Sequence, residues 1–387
     1  MLTQQKAYIV DAIRTPIGRG RAEGVFSEMH PVDLGAIPVS ELVKRNNLKA
    51  ADIEDLIYGC ASPLAEQGLN IARLITINTL DISVPGVQLN RMCGSGQQAV
   101  HFAAQAILSG ACDLIIAGGV ECMSKVPIFS DGYRLDGKKE LALPESFSKN
   151  HKANPTGISG ELMAEKWKLS RRELDEFSYK SHMKALKARD TGIFAKEIVK
   201  VQTPKSIVEH DEGIRSDTTI EKMATLKPPF KEGGVITAAN SSQVSDGAAA
   251  LLLASEYALK KYNLKPRAKL ISFSVVGTDV ELQLSGPIYA IPKVLKKSGL
   301  EIKDIGLFEI NEAFASVVLA TQRELKLDPE KINVNGGAIA LGHPLGASGA
   351  RLLTTLLYEM ERRDLKYGLS SLCIGFGQGI AAIVEHV

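Results

Sequence analysis

The chain has 387 residues, 45% of them hydrophobic, enough apolar material for the cores of two or three domains. Lys plus Arg number 46 against 44 Asp plus Glu, and a net charge of +2 excludes the positive surplus of a dedicated nucleic-acid binder. No apolar run approaches the roughly 18 residues that span a bilayer, Ala248–Ala254 being among the longest. Residues 1–10 pass straight into a strand-like K-A-Y-I-V without a signal-peptide core. Cys60, Cys93, Cys112, Cys122 and Cys373 are odd in number and lack C-x-x-C spacing, which argues against a disulfide framework or a zinc site. The expectation is a soluble, cytoplasmic protein.

In chain order, Lys6–Ala12 reads as a strand, Val32–Lys44 has helical spacing, and Leu56–Gly59 reads as a second strand. Val84–Asn90 reads as a buried strand leading into a helix over residues 94–109, with Gly110 as its C-cap. Asp113–Gly119 is a nearly continuous apolar run, the pattern of a strand buried on both faces. Strands alternating with helices predict a mostly parallel, layered α/β core.

Residues 123–240 differ. They are polar and interrupted, with one long charged helix at Arg171–Arg189 and 21 basic against 17 acidic residues, a surplus of four. The stretch reads as an insertion, and its mild basicity is explained as well by a solvated face as by an anionic ligand. From Lys269 the α/β alternation returns. Ser40–Tyr58 can be laid over Ile291–Leu307, pairing Asp52-Ile53-x-Asp55 with Glu301-Ile302-x-Asp304. Later, Cys93-Gly-Ser-Gly and Gly346-Ala-Ser-Gly each open a helix. Two similar half-chains predict two copies of one α/β unit about a pseudo-two-fold axis.

Four short segments carry candidate chemistry. Cys93 lies in N-R-M-C-G-S-G (Asn90–Gly96), where the N–H groups and dipole of a helix start would lower a thiol's pKa. The same residue also reads as a small buried hydrophobe. His343 lies in a glycine-rich loop (Gly336–Gly349) after a strand at Lys331–Asn335, held between Gly342 and Pro344. It suits a base toward a cysteine or an oxyanion donor, or it is an incidental loop histidine. Cys373 ends a strand in L-C-I-G-F-G-Q-G (Leu372–Gly379), as a second acid/base thiol or as a packing residue. Asn311 follows the strand Ile305–Ile310 and reads as a helix N-cap, with Glu312 favouring the helix dipole.

N-R-M-C-G-S-G, N-E-A-F-A (Asn311–Ala315), G-H-P-L-G-A-S-G-A-R (Gly342–Arg351) and C-I-G-F-G-Q-G (Cys373–Gly379), in this order and spacing, resemble the thiolase family. The resemblance runs from Asp11-Ala-Ile-Arg-Thr-Pro to the C-terminus. It implies an α/β, thiolase-like fold: two pseudo-symmetric βαβαβαββ core domains in an αβαβα layering, residues 1–122 with 245–266 and residues 267–387. A loop domain would span 123–244. It further implies Cys93 as the nucleophile that takes the acyl group, His343 as acceptor of its proton, and Cys373 as the thiol that moves the α-proton of acetyl-CoA. His343 with a water held by Asn311 would form one oxyanion hole, and the N–H groups of Cys93 and Gly375 the other. Coenzyme A is then a substrate, and no cofactor or metal is required. Its nucleotide would lie near Arg215, with Phe230 and Ser242 along the pantetheine path and Ala313 and Phe314 at the acyl end. Family relatives dimerise; the sequence leaves open a homodimer, a homotetramer or a complex with a hydratase/3-hydroxyacyl-CoA dehydrogenase subunit.

Two departures bear on the substrate. The family's C-terminal motif usually has three successive glycines, whereas Phe376 replaces the middle one, as in fatty-acid-degrading members, and leaves Gly375 intact. Biosynthetic acetoacetyl-CoA thiolases carry H-M-G where this chain has Pro155-Thr156-Gly157, and without that methionine the acyl pocket admits longer chains. The expectation is a degradative 3-ketoacyl-CoA thiolase of fatty-acid β-oxidation, with acetoacetyl-CoA thiolase as the alternative. Decarboxylating condensing enzymes of fatty-acid synthesis share the architecture but use two histidines, where this chain has Asn311 and Cys373. A non-catalytic carrier would have lost Cys93 or His343, and both are present.

Overall fold

A computed structural model describes residues 5–136, 138 and 140–387. The strands of the first half are β1 (Tyr8–Arg14), β2 (Gly18–Arg19), β3 (Asp55–Gly59), β4 (Gly86–Leu89) and β5 (Leu114–Cys122). A small hairpin, β6 (Val201–Gln202) with β7 (Ile207–Val208), precedes β8 (Ser245–Ala254). The second half supplies β9 (Ala268–Gly277), β10 (Leu307–Ile310), β11 (Tyr367–Ile374) and β12 (Gln378–His386). Helices α1 (Pro31–Arg45), α2 (Ile71–Thr79) and α3 (Ser95–Ser109) belong to the first half. The 123–244 stretch contributes α4 (Glu145–Asn150), α5 (Thr156–Lys166), α6 (Arg171–Asp190) and α7 (Ile220–Ala224). Then follow α8 (Glu256–Lys261), α9 (Gly286–Ser298), α10 (Ala315–Leu325), α11 (Ala338–Leu341) and α12 (Leu345–Arg363).

The main sheet runs β10-β11-β12-β9-β1-β8-β5-β3-β4, with β2 against β8. Read outward from the β1–β9 seam, the two sides repeat. On one side β8 is antiparallel to β5 and β5 parallel to β3; on the other β12 is antiparallel to β11 and β11 parallel to β10. The seam itself is narrow: Tyr8 and Ile9 against Lys269 and Ala268.

The repeat is real, but its register is three residues from the one read in the sequence. Asp52 caps a 3-10 turn by accepting from the Lys49 N–H (2.8 Å), and Asp304 does the same for the Glu301 N–H (2.8 Å). Lys49 therefore matches Glu301 and Asp52 matches Asp304. A strand read at Lys331–Asn335 is instead a 3-10 turn, Pro329–Lys331, followed by a loop in which Ile332 bridges Phe308. Its Ile-Asn-Val-Asn alternation mimics a half-buried strand, yet Asn333 turns the chain with φ +44° and spends its side chain on Ile310 and Glu312.

The layers follow from side-chain alternation. Leu114, Ile116 and Leu252 face outward onto α1 and α2, while Ile115, Ala117, Leu251 and Leu253 face inward onto α3 and α12. Helix α12 touches strands of both halves, and α9 covers the outer face of β9 and β12. Five layers result, αβαβα. Leu251 and Leu253 are fully buried, so truncating either to alanine costs about 2–5 kcal/mol. Where the central helix begins, backbones touch: a Cβ on Gly119 would lie 2.0 Å from the Gly346 oxygen. Only glycine permits that approach.

The 123–244 stretch is clamped to the core by the fully buried Arg14, which pairs with Glu197 (2.6 Å) and Asp211 (2.7 Å). Strand β4, expected to be buried, is a sheet edge with Val87 46% exposed.

Candidate active site

The carboxyl ends of β4, parallel to β3, and of the parallel pair β10 and β11 carry Cys93, Asn311 and Cys373. Such ends are where open α/β sheets bind ligands. Cys93 sits in a 3-10 turn, Met92–Gly94, between β4 and α3. The turn is strained, with Met92 at φ +48°, a conformation that costs of order 1–3 kcal/mol off glycine. Asn90 holds it by accepting from the Met92 N–H (2.7 Å), and Ser95 Oγ by accepting from the Arg91 N–H (2.9 Å). The Cys93 side chain packs on Ala61, Met123 and Leu345.

The helix start does not make Cys93 a standing thiolate. Burial pushes the thiol up to about 11, against the opposing pull of the nearby backbone N–H groups of Gly375 and of Cys93 itself. Desolvation therefore outweighs the backbone amides, opposite to the direction read from the sequence. Cys373, the penultimate residue of β11, is raised further by burial and by the nearby Cys93. Both thiols hold their protons at neutral pH, and two backbone N–H groups lie near enough to the first to favour its thiolate.

His343 lies at the opening of α12, and burial, with the Arg351 charge, lowers it to about 3. The ring is neutral. Its Nδ1 meets Ser348 Oγ (2.5 Å), and Ser348 Oγ donates to the Pro344 oxygen (2.8 Å). Since that hydroxyl has one proton, Nδ1 carries the ring hydrogen and donates it to Ser348. Nε2 is then an acceptor, facing Asn311 Nδ2 (3.2 Å). A proton from a thiol has one place on this ring to go.

Asn311 is not a helix cap: α10 starts at Ala315 with Phe314 as its cap residue. Asn311 instead continues β10, its N–H donating to the Ser371 oxygen of β11 (2.9 Å). Its Oδ1 is buried with no hydrogen-bond partner among the described residues, which suits an acceptor for a bound water. Glu312 likewise serves no helix dipole. Buried, it accepts from Ser181 Oγ (2.7 Å), Asn333 Nδ2 (2.9 Å) and the Ile339 N–H (3.1 Å), tying α6 and the His343 loop to the Asn311 turn. Glu121 does the same opposite, accepting from the N–H groups of Ala61 (2.7 Å), Ser62 (3.1 Å) and Gly346 (2.8 Å).

The residues expected along a coenzyme A path fall into two groups. Ser242 donates its N–H to the Ala313 oxygen (2.9 Å), Ser241 bridges Phe314, and Phe314 meets the Phe230 ring edge-on at 6.5 Å. Phe314 and Ala313 pack in one apolar cluster with Cys373. Arg215 stands apart, exposed, beside a cavity of about 240 Å³ lined also by His182, Lys222, Ala239 and Gln243. Gln243 links the two groups, since its neighbour is Ser242. His182 and Gln243 carried no signal in the sequence: one is a histidine within a charged helix, the other an isolated glutamine.

A family model for the thiolase N-terminal domain matches residues 7–257, and one for the thiolase C-terminal domain matches residues 264–386. The chain is similar to a steroid 3-ketoacyl-CoA thiolase of Mycobacterium tuberculosis, 46% identical over 99% of this chain and 94% of that protein. It is similar to a 3-ketoacyl-CoA thiolase of Bacillus subtilis, at 43% identity over 98% and 99% of the two chains. A beta-ketoadipyl-CoA thiolase of Escherichia coli is 43% identical over 99% of this chain and all of that one. Among solved structures, the acetyl-CoA acetyltransferase of Bacillus anthracis superposes with a TM-score of 0.90, at 36% identity over the whole of both chains. With the repeated half-sheets, the two thiols and the histidine loop in the arrangement described, the chain belongs to the thiolase family.

Proposed function

We propose that this thiolase acts in the degradative direction, cleaving a 3-ketoacyl-CoA with coenzyme A into acetyl-CoA and a shortened acyl-CoA of fatty-acid β-oxidation. The observation that carries the reading is the pairing of a half-buried, protonated Cys93 beside two backbone N–H groups with a neutral histidine whose Nε2 carries no hydrogen and faces Asn311 Nδ2. Cys93 Sγ attacks the C3 carbonyl as its proton passes to His343 Nε2. The tetrahedral oxyanion is held by the N–H groups of Cys93 and Gly375. The C2–C3 bond then breaks, leaving an acyl thioester on Cys93 and an acetyl-CoA enolate, which Cys373 protonates. Coenzyme A enters, its thiol proton passes to the Cys373 thiolate, its sulfur attacks the acyl thioester, and Cys93 leaves and takes its proton back from His343.

The acyl group meets apolar surface: Cys93 packs on Ala61, Met123 and Leu345, as Ile128 does. Curated relatives at 42–46% identity are named for 3-ketoacyl, beta-ketoadipyl and steroid substrates, which favours an acyl group larger than acetyl. The nucleotide of coenzyme A is assigned to the Arg215–His182 cavity and its pantetheine to the passage by Ser242 and Phe314. The test is a comparison of thiolysis of four-, six- and eight-carbon 3-ketoacyl-CoA, with peptide mapping of the acyl adduct. Each buried methylene is worth up to about 0.8 kcal/mol, so kcat/KM rises several-fold per two carbons, and the adduct maps to Cys93. Strict preference for acetoacetyl-CoA selects the condensing alternative; an adduct on Cys373 reverses the two thiols.

A second copy of the chain is assigned to the β4 edge. Beside that edge Leu69 is 89% and Ile82 77% exposed, a patch with unpaired strand groups that a two-fold partner would cover. A cytoplasmic location belongs to the same reading; no helix among the described residues is long and apolar enough to cross a membrane.

A further inference from the structure

The turn that presents the Gly375 N–H is unusual in its backbone. Phe376 and Gly377 both stand in the left-handed region, at φ +56° and +74°. For Gly377 that is ordinary; for a phenylalanine it is a conformation its Cβ resists. Something outside the turn must hold it. The Phe376 N–H donates to Gln283 Oε1 (3.0 Å). The amide end of the same side chain donates to the Asn154 oxygen (2.7 Å) and to Ser159 Oγ (3.1 Å). Gln283 is itself buried, at 4% exposure, and left-handed, at φ +48°.

The orientation of this amide is settled by its partners. Phe376 N–H can only donate, so it requires the oxygen; Asn154 C=O can only accept, so it requires the nitrogen. No other side-chain type of this length offers both. The Thr278 N–H also donates to the Gly377 oxygen (2.6 Å), so residues 278–283 grip residues 375–377 at two points. The far anchors, Asn154 and Ser159, flank the start of α5 at Thr156, where Gly157 lies under the Phe230 ring. The Phe376 ring rests edge-on against Phe147 of α4, at 6.0 Å.

We infer that Gln283 is a positioning residue for the oxyanion turn: its oxygen holds the turn so that the adjacent Gly375 N–H stays on Cys93, and its nitrogen ties that turn to the 154–159 segment. This rests on the reading of Gly375 N–H as an oxyanion donor. The two ends of the side chain thus have separable effects, the oxygen on the chemical step and the nitrogen on substrate binding.

Gln283→Met removes both ends at nearly constant length; Gln283→Glu keeps the acceptor and replaces the donor with a charge facing the Asn154 oxygen. Losing an oxyanion donor outright costs about 10²–10³ in kcat, so a displaced donor in Gln283→Met lowers kcat about 10–100-fold. Gln283→Glu keeps kcat within about fivefold and raises KM instead. Iodoacetamide alkylation of Cys93, read by peptide mass across pH, supplies a measure that needs no acyl-CoA. In Gln283→Met the profile moves to higher pH by about half a unit, because the thiolate has lost an N–H. A Gln283→Met enzyme that melts lower but keeps the parent kcat and alkylation profile makes Gln283 merely structural. Equal loss of kcat in both variants removes the role of the accepting oxygen. If the parent turns over no 3-ketoacyl-CoA yet the profile still moves in Gln283→Met, the positioning role stands and the proposed reaction falls.

Discussion

Ser348→Ala removes one oxygen from a fully buried position and tests the proton account of His343 directly. In the resting enzyme the neutral ring donates Nδ1–H to Ser348 Oγ at 2.5 Å, and Nε2, without a hydrogen of its own, accepts from Asn311 Nδ2. When Nε2 takes the Cys93 proton the ring becomes an imidazolium, and the bond at Nδ1 turns from a neutral into a charge-assisted one. A neutral hydrogen bond contributes about 0.5–1.5 kcal/mol and one to a charged group about 1.5–3. The variant loses the first in the ground state and the second in the transition state, a difference of about 1–2 kcal/mol. That is roughly a 5–30-fold fall in the rate of Cys93 acylation, with KM changed little. The assay is single-turnover acylation by a simple acyl-CoA, followed by intact mass in the parent, in Ser348→Ala, in His343→Ala and in the double variant. The double variant should be no slower than His343→Ala. A folded Ser348→Ala enzyme that acylates within twofold of the parent, or an additive loss in the double variant, would show that His343 does not receive the proton through Nε2.

Three further outcomes follow from the same geometry. Cys373→Ala should leave acylation of Cys93 measurable while deuterium exchange into the acetyl-CoA methyl group falls about 10²–10⁴-fold; an unchanged ratio of exchange to acylation moves the α-proton to another group. His343 and His101 are buried neutral, each lowered to about 3. With folded values below the unfolded value of about 6.5, their contribution is complete above pH 6.5 and is lost as pH falls toward 3. By pH 5 each removes about 2 kcal/mol, so the urea midpoint at pH 5 lies below that at pH 7, and equal midpoints refute the burial argument. Val87→Lys with Ile82→Glu should yield a monomer by light scattering; an unchanged mass places any self-association elsewhere than at β4.

The sequence showed what depends on neighbours along the chain and concealed what depends on neighbours in space. The long helix α6 was legible from its charged periodicity, and the C-cap at Gly110 from its glycine, which indeed stands at φ +77°. Cys93 was legible because its turn needs asparagine, serine and glycines at fixed offsets. Asn311 was misread as a cap because asparagine favours caps locally, whereas its use is set by His343, thirty-two residues on. The thiol's pKa was misjudged for the same reason: the helix start is local, the desolvating walls are not. Glu312 and Gln283 make their bonds across more than twenty and more than ninety residues, to groups no periodicity connects. The repeat was visible but slipped by three residues, since each half has two acidic residues three apart, Asp52 and Asp55 in one and Glu301 and Asp304 in the other, that sit at different places on the turn.

The strand order has a consequence during synthesis. Strand β5 ends at Cys122, and its antiparallel partner β8 begins only at Ser245. Strand β1 waits for the same partner. At about 5–20 residues per second a ribosome takes roughly 6–25 s to supply it. Throughout that interval β1 and β5 have no β8 to join them, and Ile115 and Ala117 on the inward face of β5 lack the central helix α12, which comes later still. The nascent first half is therefore an open sheet with sticky edges, and a chain stopped before β8 should aggregate or be held by a chaperone, whereas one extended through α12 can close.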